Sequence, residues 1–349
     1  MAKRGRKSKT AEEAANPAGS ILAALSFLKP AAVWEGPANQ THCMLRNKTA
    51  TIFNGLIAIG ALVDIPANCN PHLLMLISAL ERCKESTTIN YTEHGLEIKS
   101  GRYRATIPCL PDDQFGDIIP SNPIAPLNDA FKTSIEIVGR IAVESAPCLL
   151  EASVFVRTGS AIATDGVIMF EHWHGNSMPD MTVPKVSVAA LCKIEKKLTS
   201  FGCIFDDTGR TSSITFWFED STWFRTQLYV EPWPSLDKVL EVPANLWPIP
   251  AGLWEGLDSI KDFVGDTNAV ILSLKTVRTH EDLNDGASFE IEGSLPERLR
   301  LNHELLSMFS GLADKVDWIA TPDLVKFQGD NFRGVLTKMK SNADQSPTS

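Results

Sequence analysis

The sequence predicts an α+β fold built three times over. Three observations predict it. Each of three segments opens on an amphipathic helix pattern: GSILAALSFL (19–28), LNDAFKTSIEIVGRIAV (127–143) and AGLWEGLDSIKDFV (251–264). Each continues to a second helix pattern: PHLLMLISALERC (71–83), VSVAALCKIEKKL (186–198) and NHELLSMFSGLADK (302–315), recurring about every 115 residues. Blocks that alternate polar and apolar residues, with Gly, Asp, Asn and Pro at their corners, lie between and after the helices, as expected of antiparallel strands.

The elements follow in order. Between the paired helices come TATIFNGLIAIGALVDIP, SVFVRTGSAIATDGVIMFEHWH and AVILSLKTVRTHEDLNDGASFEIEGSL. After the second helices come TINYTEHGLEIKSGRYRATI, ITFWFEDSTWFRTQL and VDWIATPDLVKFQGDNFRGVL. The period is too long for a solenoid repeat and long enough for a small domain of two helices packed on antiparallel sheet. Proline-rich linkers at IIPSNPIAPL (118–127) and EVPANLWPIPAG (241–252) mark the joints. The expected organisation is a disordered basic tail (1–18), three domains (19–118, 119–240, 241–340) and a polar tail (341–349).

Within the second segment, AIATDGVIMF (161–170) raises a question of chemistry. Asp165 has the residue type of a catalytic acid or metal ligand, but Asp-Gly between alternating apolar residues is a strong two-residue hairpin signal. The turn reading is preferred, with Gly166 at positive φ. His172 and His174 share one face of a presumed strand and could ligate a metal; without a visible third ligand they read as a surface strand. The acidic pairs Asp112/Asp113 and Asp206/Asp207 read as solvated loop acids, although a two-metal nuclease would use such carboxylates. No phosphate-binding loop, HExxH, GxSxG or GxGxxG pattern occurs, which argues against an enzyme. No metal or cofactor is expected.

Composition is ordinary for a globular chain: 349 residues, 44% hydrophobic, 21% charged. No apolar run approaches the ~20 residues that span a bilayer, and the basic N-terminus lacks a signal-peptide core. Seven cysteines without a CxxC pair suit reduced thiols in a reducing compartment. A cytoplasmic location is expected, in a bacterium or a virus-infected host cell. Net charge is −9, and setting aside the five cations among the first nine residues leaves −14. Such a body does not coat nucleic acid with its whole surface, but a basic face can be confined to one side. On VSVAALCKIEKKL, Leu191, Ile194 and Leu198 form one stripe while Lys193, Lys196 and Lys197 form another, with Lys185 at the start. Arg82, Lys132, Arg140 and Lys261 lie on the other helix patterns. Lined up on one surface, these eight would contact duplex phosphates without reading bases.

The order of LEIKSGRYRATIPCLP, AIATDGVIMF, VPKVSVAALCKIEKKL and QLYVEPWPSLDKVL, with the threefold repeat, resembles the bacterial sliding clamp, the β subunit of the replicative DNA polymerase, in a divergent form. The resemblance covers about residues 20 to 340. It implies three clamp domains per chain and a head-to-tail homodimer forming a six-domain ring around duplex DNA. Helices would line the hole. The ring would tether a polymerase and catalyse nothing itself. Lys185 and Lys193 match basic positions on an inner helix of the family. The family's pocket for polymerase and clamp-loader peptides would map to Leu150, Thr164, Gly166, Val167, Ile168, Met169, Pro234, Lys238, Val239, Leu336 and Met339. This chain departs by carrying Val167-Ile168 where the family commonly has His-Arg after Ala-Thr-Asp-Gly, which makes the pocket greasier. It also carries GVLTKMK and a polar tail where the family's chain usually ends. The competing reading is a non-catalytic β-rich assembly scaffold, whose lysine faces are plain surface.

Overall fold

The computed structural model describes residues 17–116, 118–282 and 285–340. Residues 1–16 of the expected basic tail and the polar tail 341–349 lie outside the described residues. The described chain forms two compact units.

The first unit comprises residues up to Pro126 together with Lys196–Cys203 and Ser213–Gln227. Its two longer helices, Pro17–Ser26 and Leu73–Glu81, pack together as the repeat predicts. The second begins where the His72 ring accepts from the Met75 N–H at 3.3 Å, satisfying one of the helix's otherwise unpaired first-turn donors. The main sheet has seven strands in the order Met44–Arg46, Thr49–Phe53, Ile57–Leu62, Trp223–Gln227, Thr211–Phe218, Leu198–Phe205 and Ala125–Pro126. Strands of the first repeat therefore pair directly with strands that follow the second helix of the second repeat, Ile57–Leu62 against Trp223–Gln227. The edge that each would expose alone is covered by the other. A three-stranded sheet, Thr87–Thr92, Gly95–Ser100 and Tyr103–Ile107, completes the unit, with a short ladder between Asn70–Pro71 and Cys109–Leu110.

The second unit comprises Leu127–Glu195, Ile204–Ser212 and the chain from Leu228. Its main sheet repeats the plan with eight antiparallel strands: Met181–Pro184, Ser153–Arg157, Ser160–Thr164, Ile168–Trp173, Phe332–Thr337, Leu324–Gly329, Lys315–Asp317 and Trp247–Pro248. Here Ile168–Trp173 pairs with Phe332–Thr337 at the joint between repeats. A four-stranded sheet contains Ser288–Glu290, Thr276–Arg278, Ala269–Ser273 and Leu299–Asn302. Two helix pairs pack in this unit: Ala130–Gly139 with Lys185–Cys192, and Leu253–Ile260 with His303–Ser307. Strand alternation buries Phe170, Phe327 and Phe332 against Phe309, with Phe170 and Phe309 edge-to-face at 4.8 Å and Phe309 and Phe327 stacked at 3.8 Å.

The last helix is shorter than its pattern. Asn302 caps it through Leu305 N–H at 3.0 Å, but regular helix ends at Ser307. The chain continues in turns closed by Phe309→Leu306 and Leu312→Phe309 bonds, and Gly311 at φ 74° leads it toward the next strand.

Candidate functional site: a partner groove and a basic helix pair

The hairpin TDGVI is built by its own side chains. Asp165 Oδ1 accepts from the N–H groups of Val167 and Ile168, both at 2.8 Å, and Gly166 sits at φ 85°. Thr164 Oγ donates to Ile168 O at 2.8 Å and accepts from Gly166 N–H at 3.1 Å. Asp165 thus closes an Asx turn.

The turn sets which side chains reach each face. Met169 lies opposite Val335, and Ile168 opposite Leu336. Strand alternation therefore sends these two pairs to opposite faces of the sheet. Met169 joins Ile162, Leu240 and Val335 in a cluster against which Phe155, Trp233, Leu236 and Val239 pack. Trp233 stacks on Phe155, ring centroids 5.2 Å apart and interplanar angle 7°. The segment 231–241 is thereby laid on the Met169 face. Beside it, Cys148, Leu149, Leu150, Thr182, Tyr229, Trp233 and Pro234 line a groove of about 240 Å³.

Of the expected pocket residues, Thr164, Met169 and Val239 share this face, and Leu150 and Pro234 line the groove. Gly166, Val167 and Lys238 are exposed at the hairpin tip and the overlying segment. Ile168 and Leu336, 1% and 0% exposed, sit on the opposite face in the core. Met339 lies apart, its N–H bonded to Arg300 O at 3.0 Å and its side chain in a cleft with Arg298, Arg300 and Lys338. Val335, Phe155 and Trp233 were missed. Period-2 alternation across 332–337 would have placed Val335, not Leu336, beside Met169, but only once the register was known.

Under the same face lies a charge network. The Glu171 carboxylate, fully buried, accepts from Arg157 Nη2, Arg333 Nε and Ser160 Oγ, each at 2.6 Å. Arg157 also donates to Asp237 at 2.7 Å, which fastens the short helix Asp237–Leu240 to the sheet. Every partner is satisfied, the condition under which a buried carboxylate is tolerated.

The basic helix residues divide into two groups. Lys132 Nζ donates to Ile194 O, and Lys185 Nζ donates to Gly139 O. Each lysine reaches from one helix of the second unit's first pair to the carbonyl end of the other, where the helix dipole favours a cation. Burial lowers the Lys185 ammonium's pKa from its ordinary value. Lys196 is held by Asp220 and Thr222 and lies 4.2 Å over the Phe27 ring. Lys261 pairs with Asp258 at 2.8 Å. Arg82, Arg140, Lys193 and Lys197 are exposed. Arg140 and Lys193 follow directly on the C-termini of the paired helices Ala130–Gly139 and Lys185–Cys192.

The two histidines do not form a surface strand. His174 is 2% exposed, its Nδ1 accepting from Asn176 N–H at 3.0 Å, and half-buried His172 bonds Ser134 Oγ at 2.7 Å. Burial lowers both pKa values from the usual histidine range. The helix Ala130–Gly139 covers the strand end that sequence alone left open. Among the described residues, no cluster of three or more His, Cys, Asp or Glu side chains could hold a metal ion. None of their helices is long and apolar enough to cross a membrane.

No family model matches the sequence, and no curated protein matches it. Solved structures do. The chain superposes on a DNA polymerase sliding clamp from Pseudomonas aeruginosa at TM-score 0.75 and 14% identity, over 93% of this chain and 98% of that one. The fold is that of a bacterial sliding clamp. The β subunit from the DNA polymerase of Streptococcus pyogenes gives TM-score 0.76 at 16% identity, with the same coverage of both chains. A Helicobacter pylori β clamp bound to a DNA ligase peptide gives 0.74 at 12%, again over 93% and 98%. At these identities the likeness is one of fold, and the sequence is a divergent carrier of it.

Proposed function

We propose that this chain is a DNA sliding clamp, a non-catalytic processivity factor that closes as a head-to-tail homodimer around duplex DNA and tethers a polymerase through short client peptides. Residues 19–118, 119–240 and 241–340 would be its three domains. The observation that carries the reading is the end-to-end likeness, 93% of this chain to 98% of the clamp chains. A scaffold that had borrowed one clamp-like domain would not match over that length.

The client site is the groove lined by Leu150, Trp233 and Pro234, beside the covered face that carries Met169 and Val335. The Helicobacter clamp with a ligase peptide shows that a protein of this fold takes peptides. Arg140 and Lys193 are the best-placed phosphate contacts, because their charges stand exposed at the ends of the paired helices. Lys132 and Lys185 act first as helix-end caps and contribute to the positive field without leaving them. Contact through a few such cations binds duplex in a salt-dependent, sequence-independent way, which suits a protein that slides.

Sedimentation equilibrium tests the assembly. A dimer of twice the 38.2 kDa chain mass supports a six-domain ring. A trimer or larger species breaks the six-domain arithmetic and favours the scaffold.

A further inference from the structure

The first unit carries a second copy of the hairpin that shapes the client face. In FNGLI (53–57), Asn54 Oδ1 accepts from Leu56 N–H at 3.0 Å and Ile57 N–H at 2.8 Å, and Gly55 sits at φ 95°. These are the bonds Asp165 makes to Val167 and Ile168. The next contact also repeats: Gln227 N–H donates to Leu56 O at 2.9 Å, as Thr337 N–H donates to Val167 O at 2.9 Å. The match fixes a residue-by-residue correspondence. Ala58 stands where Met169 stands, and Arg225, paired with Ala58, stands where Val335 stands.

Those two exchanges change what the face holds. In the second unit, Met169 and Val335 fill the space beneath Leu236, Val239 and Leu240. In the first, Ala58 leaves that volume open. A cavity of about 320 Å³ remains, walled by Phe53, Leu56, Phe115 and Ile118 with Arg225 and Gln227 at its side. Phe115 and Ile118 come from the end of the first repeat, as Trp233 and Pro234 come from the end of the second. The Arg225 guanidinium is half-buried. It donates once, from Nη1 to Ile119 O at 2.8 Å; its buried Nε has no partner, and no described carboxylate pairs with it. Burial lowers its pKa from the ordinary arginine value. A partly desolvated cation with no described counter-charge, beside an apolar hole, favours an anion carried next to apolar bulk.

We infer that this cavity is a second peptide-docking groove, and that its occupant is a partner segment presenting an aromatic or aliphatic side chain next to a carboxylate. The side chain fills the space above Ala58 and the carboxylate pairs with Arg225. The inference rests on the geometry of this unit alone and stands whether or not the chain closes as a ring. It assigns the two grooves different clients, since the Met169–Val335 face has no cation at the corresponding position.

The test is ¹⁹F NMR titration of the full chain with N-acetyl-(4-fluoro)Phe-Glu-amide and its Gln counterpart. The expected result is saturable binding with the Glu peptide at least about tenfold tighter, the scale of one charge-assisted hydrogen bond. Arg225→Gln should remove that preference, and Ala58→Met, which restores the bulk found in the other unit, should abolish binding of both peptides. Absence of binding, equal affinity for the two peptides, or binding unchanged in both Arg225→Gln and Ala58→Met would overturn the inference. Because Arg225→Gln alters charge on a partly exposed side chain, it remains a usable test should Ala58→Met fail to fold.

Discussion

The two large sheets share strand plan and register at their central joint, yet they are held by opposite chemistry. Two residues inward from Met169 and Val335, the second unit places Glu171 opposite Arg333, with Arg157 and Ser160 completing a buried ionic network. Two residues inward from Ala58 and Arg225, the first unit places Gly60 opposite Trp223. There the indole lies on the glycine, so that a Cβ at Gly60 would come within 2.2 Å of it. One joint is ionic and the other apolar. What is common to both is the hairpin that sets register, which is therefore the part of the design that carries the fold.

The contrast can be broken most severely at Glu171. Glu171→Ala leaves two half-buried guanidinium groups facing an apolar hole, and a loss of about 3–5 kcal/mol is expected, as for removal of one partner from a buried pair. Urea unfolding followed by circular dichroism measures it, and an effect under 1 kcal/mol would mean that the network contributes little. Gly60→Ala is next. The indole must move, and overpacking of this kind costs about 1–3 kcal/mol. Pairing it with Trp223→Leu should recover most of the loss if the clash is the cause.

Asp165→Ala and Asn54→Ala form a matched pair. Each deletes one side-chain oxygen that accepts from two backbone N–H groups, and each should cost roughly 1–2 kcal/mol. A large difference between them would show that the two hairpins do not play the same part. A further test is a pH dependence that the first unit contributes. His42, on the wall of its cavity, has its pKa lowered from 6.5 to about 4 by burial and by neighbouring His72. The unfolded chain therefore binds a proton that the folded chain refuses. This contribution is complete above about pH 6.5 and is lost as pH falls toward 4. His42→Asn should lessen the drop in urea midpoint between pH 7 and pH 4.5; the lowered pKa values of His172 and His174 leave a residual drop in both proteins.

Much of this was legible in the sequence for physical reasons. Helix pairs announce themselves through the 3.6-residue period, and Asp165-Gly166 through the backbone bonds a short acceptor can make to its own turn. Asn54-Gly55 carries the same signal inside TATIFNGLIAIG, but its likeness to Asp165-Gly166 shows only when Gln227 and Thr337 are seen in matching places. Long-range partners were not legible. Nothing local tells Lys185 from Lys193, although one caps a neighbouring helix and the other stands in solvent. Glu171 reads as an ordinary polar residue until Arg157 and Arg333, the latter 162 positions away, are folded onto it. Likewise the face that Leu336 occupies depends on its register with Ile168, which composition does not encode.

The central claim is that the protein holds DNA by enclosing it, and topology tests this most directly. Linear duplex carrying a biotin at each end is incubated with the protein. The ends are then blocked with streptavidin, and the mixture is passed through a sizing column in high salt. The account predicts protein retained on doubly blocked duplex and released when the duplex is cut or one end is left open. Retention that is indifferent to the state of the ends, or no retention on blocked duplex, would contradict it.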